Sequence, residues 1–315
     1  MTRRDTAEGM GSVRWAFRCG SWTPSRCDWL FAARCIQREE KERIGQFVFA
    51  KDAKSAMAGC CSGGLSARGW VSPGQSSDWR GLPEGSLTWR HRPRFIILHL
   101  HVVSSGSGGA WSFNLSHQGD YAVLAAEQGL QVGVDIMKNT MPGSKSVSEF
   151  FRIMTRQFTA YEWSIIQSAA ADHRQLAAFY RHWALKESFI KAIGTGLDFD
   201  LQRAEFHLPS EPPSQDQVLR QTKMHLDGKE EGDWIFEESL LDVDHHVAVA
   251  LGPADKPDSA PRPSSLSPPT TFTLLSFSEL VASASPLTEE DPAYWDSFEI
   301  KAEAPQRQRE THVSR

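Results

Sequence analysis

The sequence predicts an α+β fold of two similar subdomains, each an antiparallel sheet with a long helix, because a helical pattern followed by short strands occurs twice along the chain. In the first half, a helical stretch over Gln37 to Met57 precedes apolar runs between Phe113 and Met137. In the second, helical patterning over Val147 to Ile193 precedes four strand-like runs between Arg203 and Leu251. At 315 residues, 40% hydrophobic and 23% charged, the chain has enough apolar material for one large or two small cores. A functional site is expected in the cleft between the subdomains.

The elements follow in order. Glu39, Glu40 and Glu42 cluster in the opening turns of the first helix, where the dipole favours acids, and Ile44, Phe47 and Val48 recur at helical spacing; Gly59 is its expected stop. From Gly59 to Trp111 no period holds. These 53 positions contain 10 of the 23 glycines, 4 of the 11 tryptophans and no lysine, so the stretch stands apart as atypical and open to disorder. Order returns in Phe113 to Leu115, Tyr121 to Ala126 and Gln131 to Met137, divided by turn residues, which predicts a three-stranded meander.

A capping box at Thr159 and Glu162 and a staple of Phe158 with Trp163 fix one helix start, and a second helix over about Leu176 to Ile193 stops at Gly194 and Gly196. Strands are expected over Arg203 to Leu208, Val218 to Leu226, Trp234 to Ser239 and His245 to Leu251, with Asp227-Gly228 as a hairpin turn. The subdomains are placed at 12–137 and 138–252, breaking near Lys138 to Lys145. A Pro- and Ser-rich linker covers 253–271, and an extension, 272–315, holds a short amphipathic stretch from Phe272 to Val281 before mobile residues beyond Phe298.

Thirty-four Lys plus Arg against 39 Asp plus Glu give a net charge of −5, so neither nucleic acid nor an anionic membrane is an expected partner. The N-terminus is polar, and the longest strongly apolar stretch, Phe95 to Val103, falls far short of the ~20 residues of a membrane span. Five cysteines, Cys19, Cys27, Cys35, Cys60 and Cys61, contain no C-x-x-C pair, which argues against a zinc knuckle or a disulfide framework. A soluble, cytosolic monomer is the expectation. P-loop, dinucleotide, nucleophile-elbow and zincin signatures are all absent, and His245-His246 has no third ligand at metal spacing.

Three constellations could carry chemistry. In Val132-Gly133-Val134-Asp135-Ile136 the apolar residues share one strand face, leaving Asp135 on the other with Gly133 and Met137. Alone, Asp135 reads as a solvent-facing carboxylate; beside glycine at a strand end it could also hold a hard cation. Glu187 and Lys191 stand at i and i+4 of a helix. That spacing is a surface ion pair in the ordinary case, and a carboxylate plus cation suited to phosphoryl chemistry in the other. Asn114-Leu115-Ser116-His117 ends a strand at a turn, where hydroxyl, imidazole and backbone N–H groups could meet a phosphate. Arg43 lies beside the apolar stripe of the first helix, either as a surface residue or within reach of an anion.

Asn-Leu-Ser-His at 114–117, Gly-Val-Asp-Ile at 133–136 and Trp-Ala-Leu-Lys-Glu-Ser-Phe-Ile-Lys at 183–191 together resemble, in this order, the motifs of 4′-phosphopantetheinyl transferases that serve large synthases. Beyond the motifs, Val13 to Gly59, Phe113 to Leu251 and, more weakly, Phe272 to Phe298 are similar to animal members of that family. The resemblance implies a Mg²⁺-dependent transferase of the holo-[acyl-carrier-protein] synthase type. It would move 4′-phosphopantetheine from coenzyme A to a serine of apo acyl or peptidyl carrier domains, leaving adenosine 3′,5′-bisphosphate. Carrier domains of fatty acid synthase and of aminoadipate-semialdehyde dehydrogenase type proteins, in fatty acid synthesis and lysine metabolism, are the implied partners.

The resemblance also implies residue roles. Asp135 and Glu187 would hold Mg²⁺, Glu187 would help deprotonate the carrier serine, and Lys191 would stabilise the departing phosphate. Coenzyme A would be bound by Arg43 at its nucleotide end, by Asn114, Leu115, Ser116 and His117, by Asp135, and by Glu187, Ser188, Phe189, Ile190 and Lys191. Oxygen ligands plus a lysine suit in-line attack on a Mg²⁺-bound pyrophosphate. Two departures from the family stand out. Met137 occupies the place where bacterial members often carry a second acid, and residues 59–111 lack the basic Gly-Lys-Pro loop that grips coenzyme A. The second leaves an alternative open, a non-catalytic isoform that binds carrier domains or coenzyme A only weakly.

Overall fold

The computed structural model describes residues 12–69, 90–92, 95–102, 111–141, 143, 146–253 and 268–303. Six strands form a first sheet: β1 (Ser12–Phe17), β2 (Arg90–Arg92), β3 (Phe95–Val102), β4 (Trp111–Gln118), β5 (Tyr121–Gln128) and β12 (Thr273–Leu275), in the order β12-β1-β5-β4-β3-β2. All neighbours run antiparallel except β1 and β12. Against this sheet lie α1 (Arg26–Cys35), α2 (Arg38–Gly45) and α3 (Ala50–Gly69), with Ala53, Ala56 and Met57 of α3 packed into one core with Phe17, Trp29 and Ala122.

The single helix expected over 37–57 is therefore two, broken at 46–49, where the amides of Gln46 and Phe47 turn back to the carbonyls of Arg43 and Ile44. Nor does Gly59 end the second. A Cβ there would lie 3.7 Å from the His117 ring, an ordinary contact, so the glycine sits inside α3, which runs to Gly69. Within the atypical stretch, β3 pairs with β4 over Leu98 to Val102, while residues 70–89 and 103–110 lie outside the described residues.

The expected meander closes only its first hairpin. The third strand, β6 (Leu130–Lys138), pairs instead with β11 (His245–Pro253), which pairs in turn with β10 (Ile235–Asp242) in a second antiparallel sheet. Alternate side chains of β4 close the other edge of β6: Ser112 Oγ accepts from the Val132 amide at 3.3 Å, Asn114 Oδ1 from the Val134 amide at 3.0 Å, and Gln118 Oε1 from the Lys138 amide. Hydrophobic alternation marks a strand but not its partner, and here polar side chains take the place of a backbone ladder.

Val132, Val134 and Ile136 pack with Val247, Val249 and Leu251 against Ala16, Val123 and Ala125 of the first sheet, so one core lies between the sheets. Arg14 spans the same boundary, donating to Glu127 at 2.6 Å and to Glu237 at 2.8 Å, all three buried. On the outer face of the second sheet lies α6 (Asp172–Ile193), preceded by α4 (Val147–Ile153) and α5 (Ala160–Ile166). The capping box Thr159–Glu162 forms, with the Phe158 and Trp163 rings 5.2 Å apart, and Gly194 ends α6 at φ +68°.

A small sheet of β7 (Ala204–His207), β8 (Lys223–Leu226) and β9 (Lys229–Glu230) completes the second half, turning at Asp227 and Gly228 with φ of +52° and +79°. The strand expected from Val218 is shorter, since Leu219 makes only a bridge to Glu238. From the expected linker, residues 254–267 lie outside the described residues. The extension folds back on the first sheet through β12, α7 (Phe277–Leu280) and α8 (Pro292–Glu299), stacking Tyr294 and Phe298 on Trp29. The mobility expected after Phe298 does not begin there: Ala302 and Glu303 carbonyls accept from the Ala50 and Lys51 amides. Among the described residues no helix is long and apolar enough to cross a membrane.

Candidate active site

The site is built where β4, β6 and α6 meet, and Gly133 sets how closely they do so. A Cβ at Gly133 would lie 2.0 Å from the Ser188 carbonyl oxygen and 2.5 Å from the Ala192 nitrogen, so only glycine lets α6 seat on β6. That contact carries Glu187 and Lys191 of α6 over Asp135 of β6, which shares the Gly133 face. All three are buried, at 5%, 4% and 5% exposure for Glu187, Lys191 and Asp135. The solvent-facing carboxylate and the surface ion pair that sequence spacing alone favoured are both replaced by this buried cluster.

Lys191 Nζ donates to Asp135 Oδ1 at 2.7 Å, to Ser116 Oγ at 2.9 Å and to the Val134 carbonyl at 3.2 Å. Ser116 donates in turn to Asp135 Oδ1 at 2.9 Å, closing a triangle of serine, carboxylate and ammonium. Asp135 Oδ2 is buried without a hydrogen-bond partner. Burial pushes the Asp135 carboxyl up, with Lys191 and Ser116 opposing. Burial, then repulsion from Asp135, pushes Glu187 up to about 7, with Lys191 opposing.

The next residue of β4, His117, points to the opposite side of the sheet, where α3 passes at Gly59. Burial, with added repulsion from Lys191 and then Arg43, pushes its imidazole down to about 4, so it stands neutral at pH 7. Arg43, in the last turn of α2, donates through Nε to Glu40 at 2.9 Å and lies over the Phe47 ring at 5.6 Å. Asp135, Glu187, Lys191 and Ser116 thus form one cluster, with His117 and Arg43 on its flank.

Other expected site residues have side chains engaged elsewhere. Asn114 is fully buried and holds β6, Ser188 Oγ donates to the Leu185 carbonyl at 2.8 Å, and Leu115, Phe189 and Ile190 are buried apolar residues. Sequence reasoning placed Ser116 against a phosphate; its bridging of Asp135 and Lys191 depends on β4 running alongside β6, which no spacing signals. Two surface cavities, of about 480 Å³ and 120 Å³, are lined by none of the candidate residues. The larger lies between α1 and α7, beside Arg26, Phe31 and Phe277.

No group of three or more metal-ligating side chains is assembled among the described residues. The two carboxylates do fit a cation that retains water and shares substrate phosphates, because Mg²⁺ commonly takes one or two protein carboxylates, and Asp135 Oδ2 is an acceptor left open.

Comparison with known proteins bears on the same regions. Residues 20–129 match the family model described as 4′-phosphopantetheinyl transferase, N-terminal, and residues 131–250 that of the 4′-phosphopantetheinyl transferase superfamily. A Xenopus laevis protein named L-aminoadipate-semialdehyde dehydrogenase-phosphopantetheinyl transferase is 52% identical over 302 residues, covering 95% of this chain and 96% of its own. The Homo sapiens protein of that name is 51% identical over 301 residues, covering 95% and 94%. A phosphopantetheinyl transferase of Thraustochytrium is 35% identical over 254 residues, covering 79% and 81%. With both halves matched and the buried Asp135, Glu187 and Lys191 drawn from the motifs themselves, the chain belongs to the 4′-phosphopantetheinyl transferase superfamily.

Proposed function

We propose that this chain transfers 4′-phosphopantetheine from coenzyme A to the serine hydroxyl of apo acyl or peptidyl carrier domains, with Mg²⁺ at Asp135 and Glu187. The observation that carries this reading is the buried cluster of Asp135, Glu187 and Lys191 with Asp135 Oδ2 left unpartnered. The names of the relatives support acceptors of the aminoadipate-semialdehyde dehydrogenase type, and carrier domains of fatty acid synthase belong to the same proposal. A reducing cytosolic compartment belongs to the same proposal, since the five cysteines contain no C-x-x-C pair, and we take the protein to act as a monomer.

Bound at the two carboxylates, Mg²⁺ would neutralise charge on the pyrophosphate of coenzyme A. Glu187, held near neutrality by burial, accepts the proton of the carrier serine as its oxygen attacks the phosphorus bonded to the pantetheine arm. A new P–O bond forms to the serine, and the P–O bond to the departing nucleotide phosphate breaks. Lys191, fixed by Ser116 and the Val134 carbonyl, stabilises the charge that collects on that leaving group. In this reading Arg43 binds the nucleotide end of coenzyme A and neutral His117 contacts its phosphates.

Release of adenosine 3′,5′-bisphosphate tests the reading. Chromatography of a reaction with coenzyme A is expected to show release only with a divalent cation and an apo carrier that retains its serine. Coenzyme A binding without any release would instead favour the non-catalytic isoform.

A further inference from the structure

We infer that the C-terminal segment from Asp291 to Glu303 is a strap that positions the nucleotide end of the coenzyme A site, with Lys301 as its principal positioning residue. The inference rests on the reading of Arg43 as a binder of that end.

Two helix ends meet at 46–49, and both would leave backbone groups unpaired. The strap supplies partners for both. Lys301 Nζ donates to the Gly45 carbonyl at 2.9 Å and the Phe47 carbonyl at 2.5 Å, placing a cation at the C-terminus of α2. The Ala302 and Glu303 carbonyls accept from the Ala50 and Lys51 amides at 2.8 and 3.1 Å, at the start of α3. Glu303 also pairs with Lys54 at 2.6 Å, Tyr294 donates to the Lys41 carbonyl at 3.0 Å, and Asp291 pairs with Lys41 at 3.0 Å.

Ile44, Phe47 and Ala50 anchor the junction on its core side, whereas Val48 is 72% exposed, so on the outer side the strap is what closes the backbone between the two helices. Arg43 stands two residues before Gly45, and its guanidinium lies over the Phe47 ring whose backbone Lys301 holds. Beyond the junction, Cys60 Sγ of α3 lies 4.0 Å from the Arg43 guanidinium, and Gly59 runs beside His117, whose ring an added Cβ would meet at 3.7 Å. A shift at 45–50 therefore moves Arg43 and the His117 wall together, while Asp135, Glu187 and Lys191 are held independently by β6 and α6. The strap acts on coenzyme A binding and not on the chemical step.

Steady-state kinetics and calorimetric titration of coenzyme A on the full chain test this. Lys301→Met is expected to raise the coenzyme A KM and Kd about tenfold, with kcat at saturation and the carrier KM within about twofold, and Lys301→Arg to restore them. Arg43→Ala is run alongside. If Arg43→Ala weakens coenzyme A binding and a folded Lys301→Met does not, the strap is overturned and the Arg43 reading stands; if Arg43→Ala has no effect, both fall. Should Lys301→Met fail to fold, Tyr294→Phe decides through the same KM: raised supports the strap, unchanged overturns it.

Discussion

Lys191 Nζ lies 2.7 Å from Asp135 Oδ1, across the helix–strand contact, and not against Glu187 one turn earlier on its own helix. Glu187 is thereby free of a direct cation partner among the described residues, and Asp135 keeps one oxygen open. The pairing implies that stability and chemistry at this cluster can be separated. Lys191→Met leaves Asp135 buried and uncompensated, which is expected to cost about 3 kcal/mol or more in urea denaturation. Asp135→Asn combined with Lys191→Met is expected to recover most of that loss and no transfer activity. Equal destabilisation in the single and double variants would contradict the pairing.

Gly133→Ala is expected to be among the most damaging small substitutions in the chain, because its methyl group would meet backbone atoms of Ser188 and Ala192 that cannot rotate away. A loss on the order of 3 kcal/mol, or failure to accumulate as folded protein, is the expected outcome of thermal or urea unfolding. Wild-type stability in this variant would mean that α6 does not seat on β6 as described.

Asn114→Leu removes the acceptor for the buried Val134 amide and is expected to destabilise by about 1–3 kcal/mol. Amide hydrogen exchange at Val134 gives the specific readout. Its protection should fall in the variant while that of Val249, paired to β6 through β11, changes less.

His182 predicts an acid dependence. It is fully buried on α6, donates through Nδ1 to the Ala178 carbonyl at 2.8 Å and leaves Nε2 unpartnered. Burial pushes its imidazole down to about 4 from an ordinary 6.5, so below pH 6.5 the unfolded chain takes up a proton that the folded chain refuses. The stability it contributes is present above pH 6.5 and is lost as the pH falls toward 4. Between pH 7 and pH 5 the wild type should lose about 2 kcal/mol more than His182→Leu in urea denaturation. Identical losses would contradict a neutral buried His182.

Much of this was legible from local chemistry. The Thr159–Glu162 box, the Gly194 stop and the Asp227-Gly228 turn depend on residues a few positions apart, and each formed where the sequence placed it. The face shared by Gly133 and Asp135 followed from strand alternation. What escaped depended on partners remote in the chain: β6 found β11 instead of β5, Lys191 found Asp135, and Lys301 closed the carbonyls at a helix break that periodicity had bridged. A glycine after the apolar period also made Gly59 a stop, whereas the helix continues through it to Gly69.

The intact mass of an apo carrier domain, after incubation with the full chain, coenzyme A and Mg²⁺, tests the central claim most directly. The account predicts a gain of one phosphopantetheine with the wild type and none with Glu187→Ala, whose fold is retained. No gain from folded wild type, or an undiminished gain with Glu187→Ala, would contradict it.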